Sequence, residues 1–133
     1  MEDRIQKLER ILSNDRFARH NHIRLVSVLP GEAVAEMVVS EEHLNGVNII
    51  HGGALFTLAD FAFAAASNSH GRIAIATNAN ISFFKGISTG KITAVAKEIN
   101  SGRTLATFTV NITDETGDKI ACFTGTAFQK EPY

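Results

Sequence analysis

Residues 51–68 decide most of what this chain can fold into. The stretch is dense in alanine, carries Leu55, Phe56, Leu58, Phe61 and Phe63, and has Thr57 as its one β-branched residue. Such a segment reads as a helix of about five turns, roughly 27 Å long at 1.5 Å per residue. Its apolar residues run nearly all the way round, so it must be covered on most sides. No second helix of comparable length is legible in the chain. The cover has to come from strands.

Strands are plentiful. Residues 23–29 and 33–39 are apolar and β-branched, and Pro30-Gly31 between them is a turn signal, so the pair reads as a hairpin. Beyond the helix, which Ser69-His70-Gly71 closes, period-two stretches follow at 73–83, 92–99, 103–113 and 119–128. The third alternates most clearly, with Phe108, Val110 and Ile112 opposite Thr107, Thr109, Asn111 and Thr113. Asn100-Ser101-Gly102 and Glu115-Thr116-Gly117-Asp118 are the connecting turns. Residues 1–19 form a helical extension: Ile5, Leu8, Ile11 and Leu12 share one face, and Ser13-Asn14-Asp15 breaks it before a short turn through Phe17. The expected architecture is α+β, with one antiparallel sheet of about six strands curled around one long helix. At 133 residues the whole chain is expected to be a single domain.

Composition narrows the function classes. Thirteen Lys and Arg against fourteen Asp and Glu, with no basic block, give no nucleic-acid footprint. No run of about eighteen apolar residues predicts a membrane span. The first thirty residues lack the apolar core of a signal peptide, and a lone Cys122 cannot form an internal disulfide, so a reducing, cytoplasmic setting is expected. The five histidines lack an i, i+4 pair and the acidic residues are scattered, so no metal site is expected. No cofactor is implied.

One carboxylate breaks the pattern. Between Leu44 and Phe84 only Asp60 and Arg72 are charged, and Asp60 falls in the middle of the apolar helix. A carboxylate there is costly unless paired, solvated in a cleft, or used. It reads either as part of a narrow polar stripe or as a catalytic base. At the helix start, His51-Gly52-Gly53 puts two glycines where backbone N–H groups have no intrahelical partner. Such a start can hold a developing oxyanion, or it can be a plain helix cap. Gly52 and Asp60 are eight residues apart, roughly 12 Å along a helix, too far to converge on one carbonyl. If both serve one reaction, Asp60 must come from a second copy running antiparallel. That predicts a homodimer with two shared active sites.

Together, His43-Leu44-Asn45-Gly46, His51-Gly52-Gly53-Ala54 and Leu58-Ala59-Asp60 resemble the signature of hotdog-fold acyl-CoA thioesterases of the phenylacetic-acid (PaaI) type. The resemblance covers roughly residues 20–129. It implies hydrolysis of an acyl-CoA substrate, with Asp60 as general base or nucleophile and the Gly52 N–H polarising the thioester carbonyl. Asn45 and His51 would orient water or substrate, and the homodimer would pair again as a dimer of dimers. Gly53, Phe84, Lys85-Gly86 and Ser101-Gly102-Arg103 match positions near the substrate, while Thr77 and Asn78 are candidates for the acyl pocket. Gly86 stands where the family often has proline. A hotdog hydratase or dehydratase and a non-catalytic acyl-CoA-binding domain are the competing readings.

Overall fold

The computed structural model describes residues 2–132. The elements are α1 (Arg4–Ser13), α2 (Arg16–His20), β1 (Arg24–Leu29), β2 (Glu32–Val38), a 3-10 turn (Glu41–His43), α3 (Gly52–Ser67), β3 (Arg72–Phe83), β4 (Lys91–Ser101), β5 (Leu105–Thr113) and β6 (Lys119–Pro132). The six strands form one antiparallel sheet in the order β1-β2-β4-β5-β6-β3. It wraps around α3, which packs mainly on β2, β4 and β5. This is the expected architecture.

The packing follows from the residue pattern. Leu58, Ala59, Ala62, Ala65 and Ala66 of α3 are fully buried, and Phe63 inserts between Phe108 of β5 and Phe123 of β6 with ring centroids 5.7 and 5.6 Å away. The inner rows of the sheet supply Ala35, Met37, Ile92, Ala94, Val110 and Ile112. Alanine on both surfaces lets helix and sheet approach closely, and each buried Phe or Leu contributes about 1.5–3 kcal/mol. The hairpin turn at Pro30-Gly31 holds Gly31 at φ 77°, which a residue with a side chain adopts only with strain. The Gly31 N–H donates to the buried Ser69 Oγ at 2.7 Å, so the hairpin tip is tied to the end of α3.

The extension docks through Leu8, which is buried in α1 beside half-buried Ile5 and Leu12. Asp3 caps α1 reciprocally with Gln6, and Asp15 Oδ1 accepts the Ala18 N–H at 2.9 Å to start α2. α2 then runs to His20, past the expected turn.

Strand bounds differ in two places. A bulge after Glu98 lets β4 continue, so Asn100 and Ser101 pair with Thr107 and Ala106, and β5 starts at Leu105 rather than at Arg103. β6 continues past Phe128 to Pro132 because its polar end still pairs with the start of β3, which needs no apolar alternation. No helix among the described residues is long and apolar enough to cross a membrane.

Candidate active site

α3 begins in an arrangement that leaves one donor open. His51 is the N-cap, and its Nδ1 accepts the Gly53 N–H at 2.8 Å. The proton of a neutral ring is therefore on Nε2, which is left as a donor. Gly53 makes this possible, since a Cβ there would lie 2.9 Å from His51 Nδ1. The His51 N–H donates to the His43 carbonyl at 2.7 Å. Between these two bonds, the Gly52 N–H has no acceptor among the described residues. It points from the positive end of a sixteen-residue helix. Asn45 stands in the preceding loop, where its Oδ1 accepts from the Val47 and Ile49 N–H groups at 3.0 and 3.1 Å. Its amide nitrogen is thereby free to donate.

A cleft of about 450 Å³ opens at this helix end, lined by Ile49, Gly52, Leu55, Phe83, Phe84 and Lys85 among others. Phe83 lays its ring against Gly52: a Cβ on Gly52 would come within 3.0 Å of the ring Cζ. Phe84 is 58% exposed, while its backbone N–H is fixed to the Ile120 carbonyl at 2.8 Å. Gly86 is equally close-fitting, because a Cβ there would meet Ile49 Cγ2 at 2.9 Å. That close approach accounts for glycine at a position where the resembling family often has proline.

Asp60 lies on the one stripe of α3 that the sheet leaves uncovered, with Gly53, Thr57, Ala64 and Asn68. It is half-buried and has no hydrogen-bond or ion-pair partner among the described residues. Burial raises its carboxyl pKa from the ordinary aspartate value, and the charge of Asp15, the N-cap of α2, adds to the rise. An unpaired carboxylate with a raised pKa suits proton abstraction. Within one chain it remains about 12 Å along the helix from Gly52, as the eight-residue spacing requires.

The remaining predicted residues separate into two groups. Lys85 Nζ holds Asp114 Oδ2 at 2.9 Å and Asp118 Oδ2 at 2.8 Å, so the β5–β6 turn is strapped beside the Gly52 cleft. Its ammonium is already surrounded by two carboxylates, which leaves the cluster net negative. Ser101, Gly102 and Arg103 lie at the other end of β5 and are exposed; the Gly102 N–H donates to the Leu105 carbonyl at 2.8 Å. β5 has nine residues, so about 30 Å separates the two groups, and a single chain does not bring them together. Thr77 and Asn78 are exposed on β3, at a bulge where Thr77 Oγ1 donates to the Thr126 carbonyl at 3.2 Å. The sequence reading assigned no role to Asp15, or to Asp114 and Asp118 as partners of Lys85. Each is a long-range contact made by a residue that looks like an ordinary solvated turn. No group of three His, Cys, Asp or Glu side chains that could hold a metal ion occurs among the described residues.

α3, with Gly52 and Asp60, and the strands β3, β4 and β5 fall within residues 47–121, which match the family model of the thioesterase superfamily. The chain belongs to the thioesterase superfamily. It is similar to acyl-coenzyme A thioesterase PaaI of Escherichia coli, with 35% identity over 121 residues that cover 90% of this chain and 86% of that protein. The structure of the E. coli PaaI protein from the phenylacetic acid degradation operon superposes at a TM-score of 0.91 and 32% identity, covering 96% of this chain and 93% of that one. Human acyl-coenzyme A thioesterase 13 is 33% identical over 101 residues, 74% of this chain and 72% of that protein. This superfamily member is thus a hotdog-fold enzyme of the PaaI type, a thioester hydrolase.

Proposed function

We propose that this thioesterase hydrolyses acyl-CoA esters to the free acid and CoA, using Asp60 of one subunit and the Gly52 N–H of another. The observation that carries the reading is the pairing of an unpartnered, half-buried carboxylate with an open helix N-terminus on the same helix. The similarity to the E. coli and human acyl-coenzyme A thioesterases supports it. Two antiparallel copies of α3 would bring each Asp60 towards the other copy's Gly52. The uncovered stripe on α3 and the exposed edge of β3 beside it are the surfaces such a homodimer would use, and a dimer of dimers is the further expectation.

In the reaction, Asp60 accepts a proton from water, and the water oxygen adds to the thioester carbonyl carbon. The carbonyl oxygen becomes an oxyanion held by the Gly52 N–H at the positive end of α3. The donors on His51 Nε2 and the Asn45 amide orient the water or the carbonyl. Collapse of the tetrahedral centre breaks the C–S bond, and the CoA thiolate leaves and takes up the proton. Direct attack by Asp60 would give an anhydride that water then opens, with the same net balance. Phe84 and Gly86 border the slot where the pantetheine arm would enter, with Lys85 shaping its wall, and Gly53 borders the neighbouring cleft beside His51. Thr77 and Asn78 would face the acyl group, and Ser101-Gly102-Arg103 would meet the nucleotide only from a neighbouring subunit. A cytoplasmic location belongs to the same proposal.

The test is thiol release from phenylacetyl-, hydroxybenzoyl-, hexanoyl- and palmitoyl-CoA by the native chain and by Asp60→Asn. Turnover that drops at least about 100-fold in the variant supports the reading. Equal rates in the two proteins, or no release from any ester, would sink it.

A further inference from the structure

His43 is 3% exposed, and both of its ring nitrogens are engaged. Nδ1 accepts the Ser40 N–H at 3.0 Å, so in the neutral ring the proton resides on Nε2, which donates to the Asn21 carbonyl at 2.9 Å. Asn21 is the C-cap of α2, with its own N–H turned back on the carbonyls of Phe17 and Ala18. The backbone of His43 in turn accepts the His51 N–H, and His51 Nδ1 accepts the Gly53 N–H. An unbroken series of hydrogen bonds therefore runs from the end of α2, through the His43 ring and backbone, to the first turn of α3.

α2 touches the site at both ends. Its N-cap, Asp15, is near enough to Asp60 for its charge to act there, and its C-cap, Asn21, holds His43 behind the open Gly52 N–H. A cleft of about 310 Å³ bordered by Phe17, Asn21, His43 and His51 lies between them. No other side chain among the described residues bridges the 3-10 turn to α2 by hydrogen bonds. We infer that His43 is a positioning residue for the thioesterase reaction, aiming the Gly52 N–H by locking the 3-10 turn and the α3 N-cap to α2. The inference rests on the proposed role of Gly52. It gives a role to the histidine that opens the His43-Leu44-Asn45-Gly46 motif, beside those proposed for Asn45, His51, Gly52 and Asp60.

Orientation matters because an oxyanion donor displaced by about 1 Å can cost roughly 100-fold in rate without altering ground-state binding. The two ring bonds can be separated by substitution. His43→Asn places an acceptor near the position of Nδ1 but is too short to reach Asn21; His43→Gln places a donor near the position of Nε2. The experiment measures kcat and KM for thiol release with the best ester of the four-member panel, for native, His43→Ala, His43→Asn and His43→Gln proteins. Melting temperatures and the 15N–1H amide signals of Gly52 and Gly53 are recorded alongside.

The expected result is a kcat about tenfold lower in the Ala and Asn variants with KM within about twofold of native. The Gln variant recovers kcat and the native amide positions. Folded Ala or Asn variants with native kcat overturn the inference, as do losses that track melting temperature alike in all three. Absence of turnover in the native chain overturns the proposed function itself. The glycine signals then still decide whether His43 holds the helix end: unmoved signals in the Asn variant mean that it does not.

Discussion

The ring of Phe83 rests on the α carbon of Gly52, close enough that a methyl group there would sit 3.0 Å from the ring Cζ. The last residue of β3 thus forms a wall beside the open N–H of α3, and the glycine is what lets the wall stand so near. Gly52→Ala is expected to push the ring aside and lower kcat/KM about tenfold or more, although alanine is the better helix former. The added change Phe83→Leu should return part of the activity by restoring space. Thiol-release kinetics on the single and double variants check this, and native rates in Gly52→Ala would dismiss the wall.

Removing the Asp60 charge should separate stability from activity. Its carboxyl pKa is raised by burial, so between the unfolded and the folded pKa the native protein binds a proton there more readily than the unfolded chain does. That contribution is present below the unfolded pKa and disappears as pH rises through the folded one. Asp60→Asn removes the cost of the buried charge. Its melting temperature should exceed the native value at neutral pH, by a margin that shrinks on acidification, while turnover falls at least about 100-fold. Thermal melts at several pH values are the measurement.

Asp15 sets part of the working range. As a base Asp60 must be ionised, so kcat/KM falls as pH drops through its raised pKa, and the negative Asp15 moves that fall to higher pH. Asp15→Asn keeps an oxygen for the Ala18 N–H, so α2 retains its cap. The acid limb of the pH–rate profile should then shift to lower pH with the plateau little changed. An unmoved limb would count against electrostatic coupling between the two carboxyls.

Lys85 predicts a different pH signature. Its two carboxylate partners raise its ammonium to about 12, and the lysine and Thr116 hold the Asp114 carboxyl well below the usual carboxylate range. The stability from the lowered Asp114 is present above its unfolded pKa and is lost as pH falls through the folded one; that from Lys85 is lost as pH rises towards about 12. Lys85→Met should therefore be less stable than native at pH 6, with the gap closing in strong acid. If the lysine acts on the slot only through the turn it straps, KM for CoA esters should change by less than about threefold. Urea melts across pH and the KM measurement read the two effects.

The parts of this molecule that were legible in sequence are those whose pattern is local. Residues 51–68 could be little other than a buried helix, and β5 alternates because one of its faces meets Phe63. Gly52 and Asp60 stood out because each is anomalous in its own segment. What stayed hidden depends on backbone bonds or distant partners. The end of β6, Gln129 to Pro132, pairs with β3 without burying an apolar side chain, and the bulge after Glu98 carries no residue that announces it. His43 follows Ser40, Glu41 and Glu42, and its motif assigns it no contact; its burial shows only when Asn21, 22 positions earlier, is seen against its ring.

β3 lies at the edge of the sheet, and from Ile73 to Phe84 it contains no charge, no proline and no glycine. Ile73, Ile75 and Phe83 are each more than two-fifths exposed. Edges of that length usually carry a lysine or a proline to discourage accretion. Here a subunit on its own has only the register shifts after Arg72 and at Thr77 to keep other strands away. In the proposed homodimer, correct pairing would do the guarding that charge does elsewhere, which would make an orphaned copy, rather than an unstable one, the form most prone to aggregate.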